Sequence, residues 1–385
     1  MTIRRPIALV SPPFWYAVHG PPLALPCLAG FLEQEGFSVD VVDLNIRMIH
    51  DDELRRLALE AARTRLDALE AKDRLSESED SEYKALVRLF VTTGTRSPKL
   101  QNERLDFFLA YFEPLWQEGI SIPDLDRIAR EDPRCVYRER LRAGIADWLA
   151  PDSLALGISV ACAEQLLGAF ALAHVVKEMM PELPVILGGS VFSLVKADVA
   201  RQVVSLPYVD YLVRHEGERP LAQLCHALAR GLDTGSVPNL LYRSGDAVVE
   251  TAVCEPIHLN QLPTPRFQDL LENHYQEPVR IPVLQTRGCY WGKCTFCDIH
   301  LYVSGSRSYR HDDPARLAEQ IGVLQRKHRH KSFEIVTTAM SPSYARRFSQ
   351  ALIDAGTSVD WETRIKYESQ FDEDLFRSMV QAGCR

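Results

Sequence analysis

Arg287-Gly288-Cys289-Tyr290-Trp291-Gly292-Lys293-Cys294-Thr295-Phe296-Cys297 follows closely on the apolar run Ile281-Pro282-Val283-Leu284. The spacing Cys289-x4-Cys294-x2-Cys297 gathers three of the chain's nine cysteines into one short, turn-like segment. The run before it reads as a strand over 281–286. Beyond it, apolar periodicity alternates: helix 314–327, strand 333–337, helix 343–355, strand 359–364 and helix 373–382. Strands alternating with helices build a parallel sheet. In parallel barrels the loops leaving the carboxyl ends of the strands carry the reactive groups, and the three thiols occupy such a loop.

Upstream the same grammar recurs. Ile7-Ala8-Leu9-Val10, a Pro-rich loop, a helix near 23–35 and Val39-Asp40-Val41-Val42 form a strand–helix–strand unit. It resumes with a strand at 154–159, a helix over 164–180, the strand Val185-Ile186-Leu187 and the run Val209–Val213, then a helix to about Arg230. This predicts an α/β fold whose first domain, residues 1–235, is a doubly wound, Rossmann-like sheet of about five parallel strands, a type that binds ligands at the carboxyl ends of its strands. Between 51 and 148 the composition turns to Arg, Glu, Ala and Leu at helical spacing, broken near Gly94–Pro98 and at Pro123. This is a helical insertion, read as partly solvated surface. Residues 236–280 read as a linker carrying a hairpin around Ser244-Gly245-Asp246, and 281–385 as a parallel barrel that has only begun. Because the alternation stops at Arg385 after three units, the barrel is expected to be incomplete and the chain a fragment, poorly soluble or inactive by itself.

Composition narrows the function. At 385 residues the chain is long enough for two or three domains. Its 44 basic against 52 acidic residues, net −8, offer no global attraction to nucleic acid or anionic membranes. No run approaches the ~18 apolar residues of a membrane span, and the first residues lack a signal peptide, so a cytoplasmic location is expected. Cys27, Cys135, Cys162, Cys225, Cys254 and Cys384 are scattered along the chain and read as reduced thiols.

Three thiolates from one loop can hold three irons of a cubane [4Fe-4S] cluster and leave the fourth iron open to a ligand. The alternative is zinc, with His300 completing a Cys3His set. The loop sequence resembles the cluster loop of radical S-adenosylmethionine enzymes, especially the branch with an N-terminal cobalamin-type domain, and the resemblance runs from about residue 6 to 385. It implies that the open iron binds S-adenosylmethionine, that Phe296 lies near the adenine, and that Arg364 faces the carboxylate, although a surface role for Arg364 is equally open. The commoner family spacing has three residues in the first gap, where this chain has four, a variant associated with the cobalamin-linked branch.

The same resemblance extends to the first domain. Ser159-Val160-Ala161 stands in the place of a Ser-x-Leu pair, followed after 26 residues by Gly188-Gly189, and it implies that Ser159, Gly188 and Gly189 receive the nucleotide tail of cobalamin. The segment Asp43-Leu44-Asn45 resembles the cobalt-ligating Asp-x-His of the family, with Asn45 in place of the histidine. No histidine from this loop is therefore expected on cobalt. His215-Glu216-Gly217-Glu218 resembles a Gly-Glu-Gly-Glu loop of the family, with His215 departing. Its acidic residues fit helix N-terminal caps equally well, and no catalytic role is assigned to them.

The function implied is a cobalamin-dependent radical S-adenosylmethionine enzyme, a C-methyltransferase acting on an unactivated carbon of a peptide or other small molecule. It would take electrons from an external flavodoxin- or ferredoxin-like donor and use neither nucleic acid nor a membrane. A cyclase or rearrangement enzyme with a non-methylating cobalamin domain, and a non-catalytic corrinoid or iron–sulfur module, stay open, as does a Rossmann-like scaffold that binds no corrinoid.

Overall fold

The computed structural model describes residues 3–13, 19–94, 120–133, 135–268, 270–273, 275, 277–297, 299 and 309–385. Strand β1 (Ile3–Ser11) is followed by helix α1 (Ala24–Gln34), which buries Leu25, Cys27, Ala29 and Leu32, then by strand β2 (Phe37–Asp43), parallel to β1. Asp43 ends β2 and caps α2 (Leu44–Ile49), accepting from the Ile46 amide at 3.3 Å.

The helical insertion comes next. Helix α3 (Asp52–Glu70) is capped by Asp51 and buries Leu54, Ala58, Ala62, Leu66 and Leu69, a stripe at spacings of three and four. Helix α4 (Glu77–Gly94) follows, then α5 (Ile122–Glu131) and α6 (Tyr137–Gly144). Pro123, read as a break, lies in the first turn of α5 behind the Ser121 cap, where a missing N–H costs no hydrogen bond. Pro98 lies outside the described residues. The insertion is more than solvated surface: its apolar stripes join one core cluster with Val10 of β1 and Ile158, so it roofs one face of the sheet.

Strand β3 (Ala155–Ser159), α7 (Leu166–Met179), β4 (Val185–Gly188), the short α8 (Ser190–Leu194), α9 (Ala197–Val204), β5 (Tyr211–Val213) and α10 (Glu218–Arg230) complete the doubly wound unit. Helix α7 packs with the insertion, and α1 and α10 cover the opposite face. The hairpin read as linker is instead part of this sheet: β6 (Leu240–Ser244) pairs antiparallel with β5, and β7 (Ala247–Glu250) with β6, giving the order β2-β1-β3-β4-β5-β6-β7. The pairing satisfies the backbone groups on the free side of β5 and moves the sheet edge to β7. The chain direction across the sheet reverses between β1 and β3, the position at which such sheets open a ligand crevice.

The second domain begins with β8 (Ile281–Leu284). A two-residue ladder pairs β9 (Thr286–Arg287) antiparallel with β10 (Arg310–His311), and the cysteine loop lies between those two strands. Helix α11 (Pro314–His328), β11 (Ser332–Val336), α12 (Pro342–Asp354), β12 (Asp360–Glu362) and α13 (Glu373–Gln381) follow, with β8, β11 and β12 parallel in the order β12-β11-β8. After α13, Cys384 bridges Trp361 in parallel register. Each strand is thus followed by a helix on the same core, around buried Phe333, Phe348 and Trp361. Among the described residues no helix is long and apolar enough to cross a membrane.

Candidate functional site

The carboxyl ends of both sheets open into one cavity of about 640 Å³, within the usual volume range of small-molecule sites. One wall is the first domain. There Ser159 and Gly188 are register partners on β3 and β4, so the Ser159-Val160-Ala161 and Gly188-Gly189 segments, 26 residues apart in the chain, meet side by side. The Val160 amide donates to the Gly188 carbonyl at 2.7 Å, and the Ser190 hydroxyl donates to the Ala161 carbonyl at 2.7 Å. Gln165, fully buried, ties these turns to β1: its side-chain oxygen accepts from the Ala161 amide at 2.8 Å and its NH2 donates to the Ser11 hydroxyl at 3.3 Å.

The glycine pair divides its labour. Gly189 has φ +113, and a Cβ there would lie 2.2 Å from the Val160 carbonyl oxygen, so the fold itself demands glycine. At Gly188 a Cβ would meet only Val213, at 3.5 Å and beyond, which is ordinary contact. Among the described residues nothing requires Gly188 to lack a side chain, and it lines the cavity. Below it the wall is apolar, with Leu9, Leu28, Ile186, Val213 and Leu221. Cys27 joins them; burial, with the nearby Glu218 charge, pushes its thiol up to about 12, so it stays a neutral apolar contact.

The second wall comes from the β8 and β11 ends: Thr286, Arg287, Gly288, Thr337 and Thr338, with Arg364 beside them. Thr286 and Thr337 share a hydrogen bond at 2.9 Å, and the Thr338 hydroxyl donates to the Gly288 carbonyl at 3.1 Å, fixing the residue before Cys289. These threonines were not singled out in the sequence; their position at strand ends was the available signal. Arg364 lines the cavity but is 69% exposed, held by Glu334 at 3.4 Å.

Cys289 and Cys297 are half-buried and Cys294 is exposed. The Cys297 amide donates to the Cys294 carbonyl at 3.4 Å, which folds the second gap into a turn. Around this loop the Tyr290 hydroxyl donates to Glu368 at 3.0 Å and is pushed up to about 12 by burial and that bond, while Lys366 lies 5.0 Å from the Trp291 ring centroid. Among the described residues no three His, Cys, Asp or Glu side chains are gathered as a ready metal site, so the three thiols share a loop without yet converging. His300 of the zinc alternative lies outside the described residues. Phe296, between the second and third thiols, is 90% exposed and does not line the cavity.

Asn45 is also away from it. It sits in the first turn of α2, 1% exposed, at the end of β2 on the far side of β1 from β3. The chain segment that leaves β1 toward the crevice is the Pro-rich loop instead, of which residues 14–18 lie outside the described residues. Contrary to the expectation from the Asp43-Leu44-Asn45 resemblance, this segment lies at the end of β2, away from the cavity, where Asp43 serves as a helix cap and accepts from the Tyr275 hydroxyl at 2.9 Å.

The loop set aside in the sequence proves structural at this site. Glu216, Gly217 and Glu218 line the cavity, and the two carboxylates face arginines of the second domain. Arg287 contacts Glu218 through both terminal nitrogens and lies 3.0 Å from Glu216; Arg310 is bidentate to Glu216. Burial would raise the Glu218 carboxyl, but the Arg287 charge and hydrogen bonds outweigh it and hold it below the usual range. His215 adopts φ +62, donates its amide to Ser193 at 3.0 Å, and has a buried Nδ1 without a partner among the described residues.

A doubly wound sheet and a second parallel sheet thus meet at a shared cavity, with a three-thiol loop at its edge. No family model matches the chain. The radical S-adenosylmethionine methyltransferase TsrM from Kitasatospora setae, solved with cobalamin and a [4Fe-4S] cluster bound, superposes with TM-score 0.55 at 16% identity, over 100% of this chain and 58% of that one. OxsB, a cobalamin-dependent S-adenosylmethionine radical enzyme solved with aqua-cobalamin and S-adenosylmethionine bound, gives 0.58 at 13%, over 99% and 43%. Among curated proteins the chain is 29% identical over 225 residues to the anaerobic magnesium-protoporphyrin IX monomethyl ester cyclase of Rubrivivax gelatinosus (54% of this chain, 39% of that one). It is 23% identical over 223 residues to an uncharacterised methyltransferase of Pyrococcus horikoshii (56% and 47%). The chain has the fold of the cobalamin-dependent radical S-adenosylmethionine enzymes, and its matches span less than half the length of these curated relatives.

Proposed function

We propose that this chain is a cobalamin-dependent radical S-adenosylmethionine enzyme that methylates an unactivated carbon of a peptide or other small molecule, with electrons from a flavodoxin- or ferredoxin-like donor. The observation that supports it is the single cavity: Ser159, Gly188 and Gly189 on one wall, and the strand ends that launch the cysteine loop on the other.

The residues present fit the groups this reading requires. Gly188 leaves open a space that the protein itself does not use, beside a hydroxyl and above an apolar slot, which suits a nucleotide tail ending in a planar apolar base. Three thiols within nine residues are the soft donor set for iron–sulfur, and gathering them on metal binding is the usual coupling of ligation to loop order. When bound, the cluster supplies the electron that cleaves S-adenosylmethionine and the corrinoid supplies the methyl group.

The chain's own residues hold, orient and exclude water. Cys289, Cys294 and Cys297 would carry the cluster, and Arg364 would pair with a carboxylate as well as it now pairs with Glu334. Phe296 offers an exposed ring on which an adenine can stack. The apolar wall of Leu9, Leu28, Ile186, Val213 and Leu221 would keep water from a bound corrinoid's tail. Asn45 has no part in this reading, because the structure puts it elsewhere.

The likeness to a ring-forming cyclase supports a second reading, in which the same radical closes a ring and no methyl is transferred. Oxygen-free purification with iron, sulfide and cobalt analysis, followed by incubation with methyl-deuterated S-adenosylmethionine, separates the cases. Brown protein that yields 5′-deoxyadenosine and a deuteromethylated product supports methylation, an unmethylated ring product supports cyclisation, and a colourless zinc protein overturns both.

A further inference from the structure

The β9–β10 ladder brackets the cysteine loop: Arg287 directly precedes Gly288-Cys289, and Arg310 lies beyond Cys297 on the returning strand. In this ladder Arg287 and Arg310 are direct cross-strand partners. Two cations placed opposite each other repel, and here both are largely buried, with side-chain exposures of 19% and 15%. Among the described residues of their own domain no carboxylate pairs with them. The counter-charges are Glu216 and Glu218 from the first domain, 8% and 3% exposed. Glu216 bridges both arginines and also accepts from the Ile257 amide at 3.3 Å. The base of the cysteine loop therefore closes on carboxylates borrowed from the domain across the cavity. Gly217, between them in sequence, is itself a cavity-wall residue, as are Glu216, Glu218 and Arg287.

We infer that Glu216 and Glu218 are positioning residues for the cysteine loop: they clamp its base through Arg287 and Arg310, so that filling the first domain's cavity is felt at the three thiols. This rests on the functional reading above and adds to it a route of communication. A group seated against Gly188 and Gly217 presses on the segment that carries both carboxylates, and any change in their position alters the ladder they hold shut. Such coupling is reciprocal, since each ligand must change the other's affinity by one common factor.

The test uses the full chain with its cluster reconstituted, hydroxocobalamin as the first-domain probe, and S-adenosylmethionine read by its effect on the electron resonance spectrum of the reduced cluster. In the wild type, hydroxocobalamin should change the dissociation constant of S-adenosylmethionine by about fivefold or more, with the same factor in the reverse order of addition. In Glu216→Gln and in Glu218→Gln that factor should fall to within about twofold of unity, while each protein keeps its iron and still binds hydroxocobalamin. Arg310→Lys, which keeps the charge but loses the two-pronged contact, should give an intermediate factor and serves if a Gln variant does not fold. Coupling unchanged in the folded variants, or absent in a wild type that binds both ligands, overturns the clamp. A wild type that binds neither iron nor hydroxocobalamin overturns the functional reading instead.

Discussion

The two walls of the cavity are built differently. The first-domain wall is finished by the polypeptide alone: Ser159 faces Gly188 in register, Gln165 is fully buried across two turns, and Gly189 is forced by its own backbone. The cysteine loop is not. It carries an exposed thiol and an exposed phenyl ring, its three sulfurs do not converge among the described residues, and its base is pinned by charges from the other domain. Packing can shape a slot for an apolar group before that group arrives, but three thiolates cannot be drawn together without a cation to offset their repulsion. Under the proposed function, folding prepares one wall and ligation would complete the other.

Four measurements can break or sharpen that contrast. The largest effect belongs to the unfinished side. Cys294→Ala is expected to abolish iron retention and 5′-deoxyadenosine formation while moving the unfolding stability of the metal-free protein by less than about 0.5 kcal/mol, because the residue is exposed. A large stability loss would mean that the thiol belongs to the fold. Next is the clamp. Arg287→Met strands Glu218 as a buried, uncompensated charge and should cost about 3–5 kcal/mol in denaturant unfolding; a loss below about 1 kcal/mol would show the pair to be solvated like a surface bridge.

The glycine pair gives the third. Gly189→Ala should destabilise the chain by about 1–3 kcal/mol, since its backbone resists any side chain. Gly188→Ala should leave the unfolding midpoint nearly unmoved yet weaken hydroxocobalamin binding at least about tenfold, the equivalent of about 1.4 kcal/mol. Equal behaviour of the two variants would erase the distinction between a glycine the fold needs and one the ligand needs.

The smallest effect concerns His215. Burial holds its imidazole below the ordinary value of 6.5, so the folded state resists protonation. The stability it contributes is present above about pH 6.5 and is lost as pH falls through its lower folded value. His215→Gly should flatten that acid-side slope. It should also relieve the left-handed backbone at φ +62 by about 1 kcal/mol at neutral pH. An unchanged slope in urea titrations at pH 5 and pH 8 would assign it to another group.

Much of this architecture was legible from local pattern. Apolar runs at β1, β3, β4, β8 and β11, each followed by a helical stripe, announce two parallel sheets, because parallel strands must be linked by crossovers and both are buried deeply enough to show in hydropathy. The Cys289-x4-Cys294-x2-Cys297 spacing was equally plain, since it is confined to nine residues. What failed did so for definable reasons. The hairpin at 240–250 looks the same whether it spans a linker or finishes a sheet edge, and only the partner strand β5 decides. The insertion's stripes were visible, but not that they roof β1 and β3. Asn45 was placed by resemblance of three letters, whereas a residue's reach depends on which strand end it follows.

The sequence by itself determined periodicity, strand order along the chain, glycines at turns and three thiols on one loop, because each depends on neighbours a few residues apart. Only the tertiary structure decided that Ser159 meets Gly188, that Arg287 and Arg310 stand opposite each other and borrow Glu216 and Glu218, and that both sheets share one cavity. Those are contacts between segments far apart in the chain, from Leu9 to Arg364 in the case of the cavity. Charge neutralisation and burial select them once the chain is compact, and no local pattern records them.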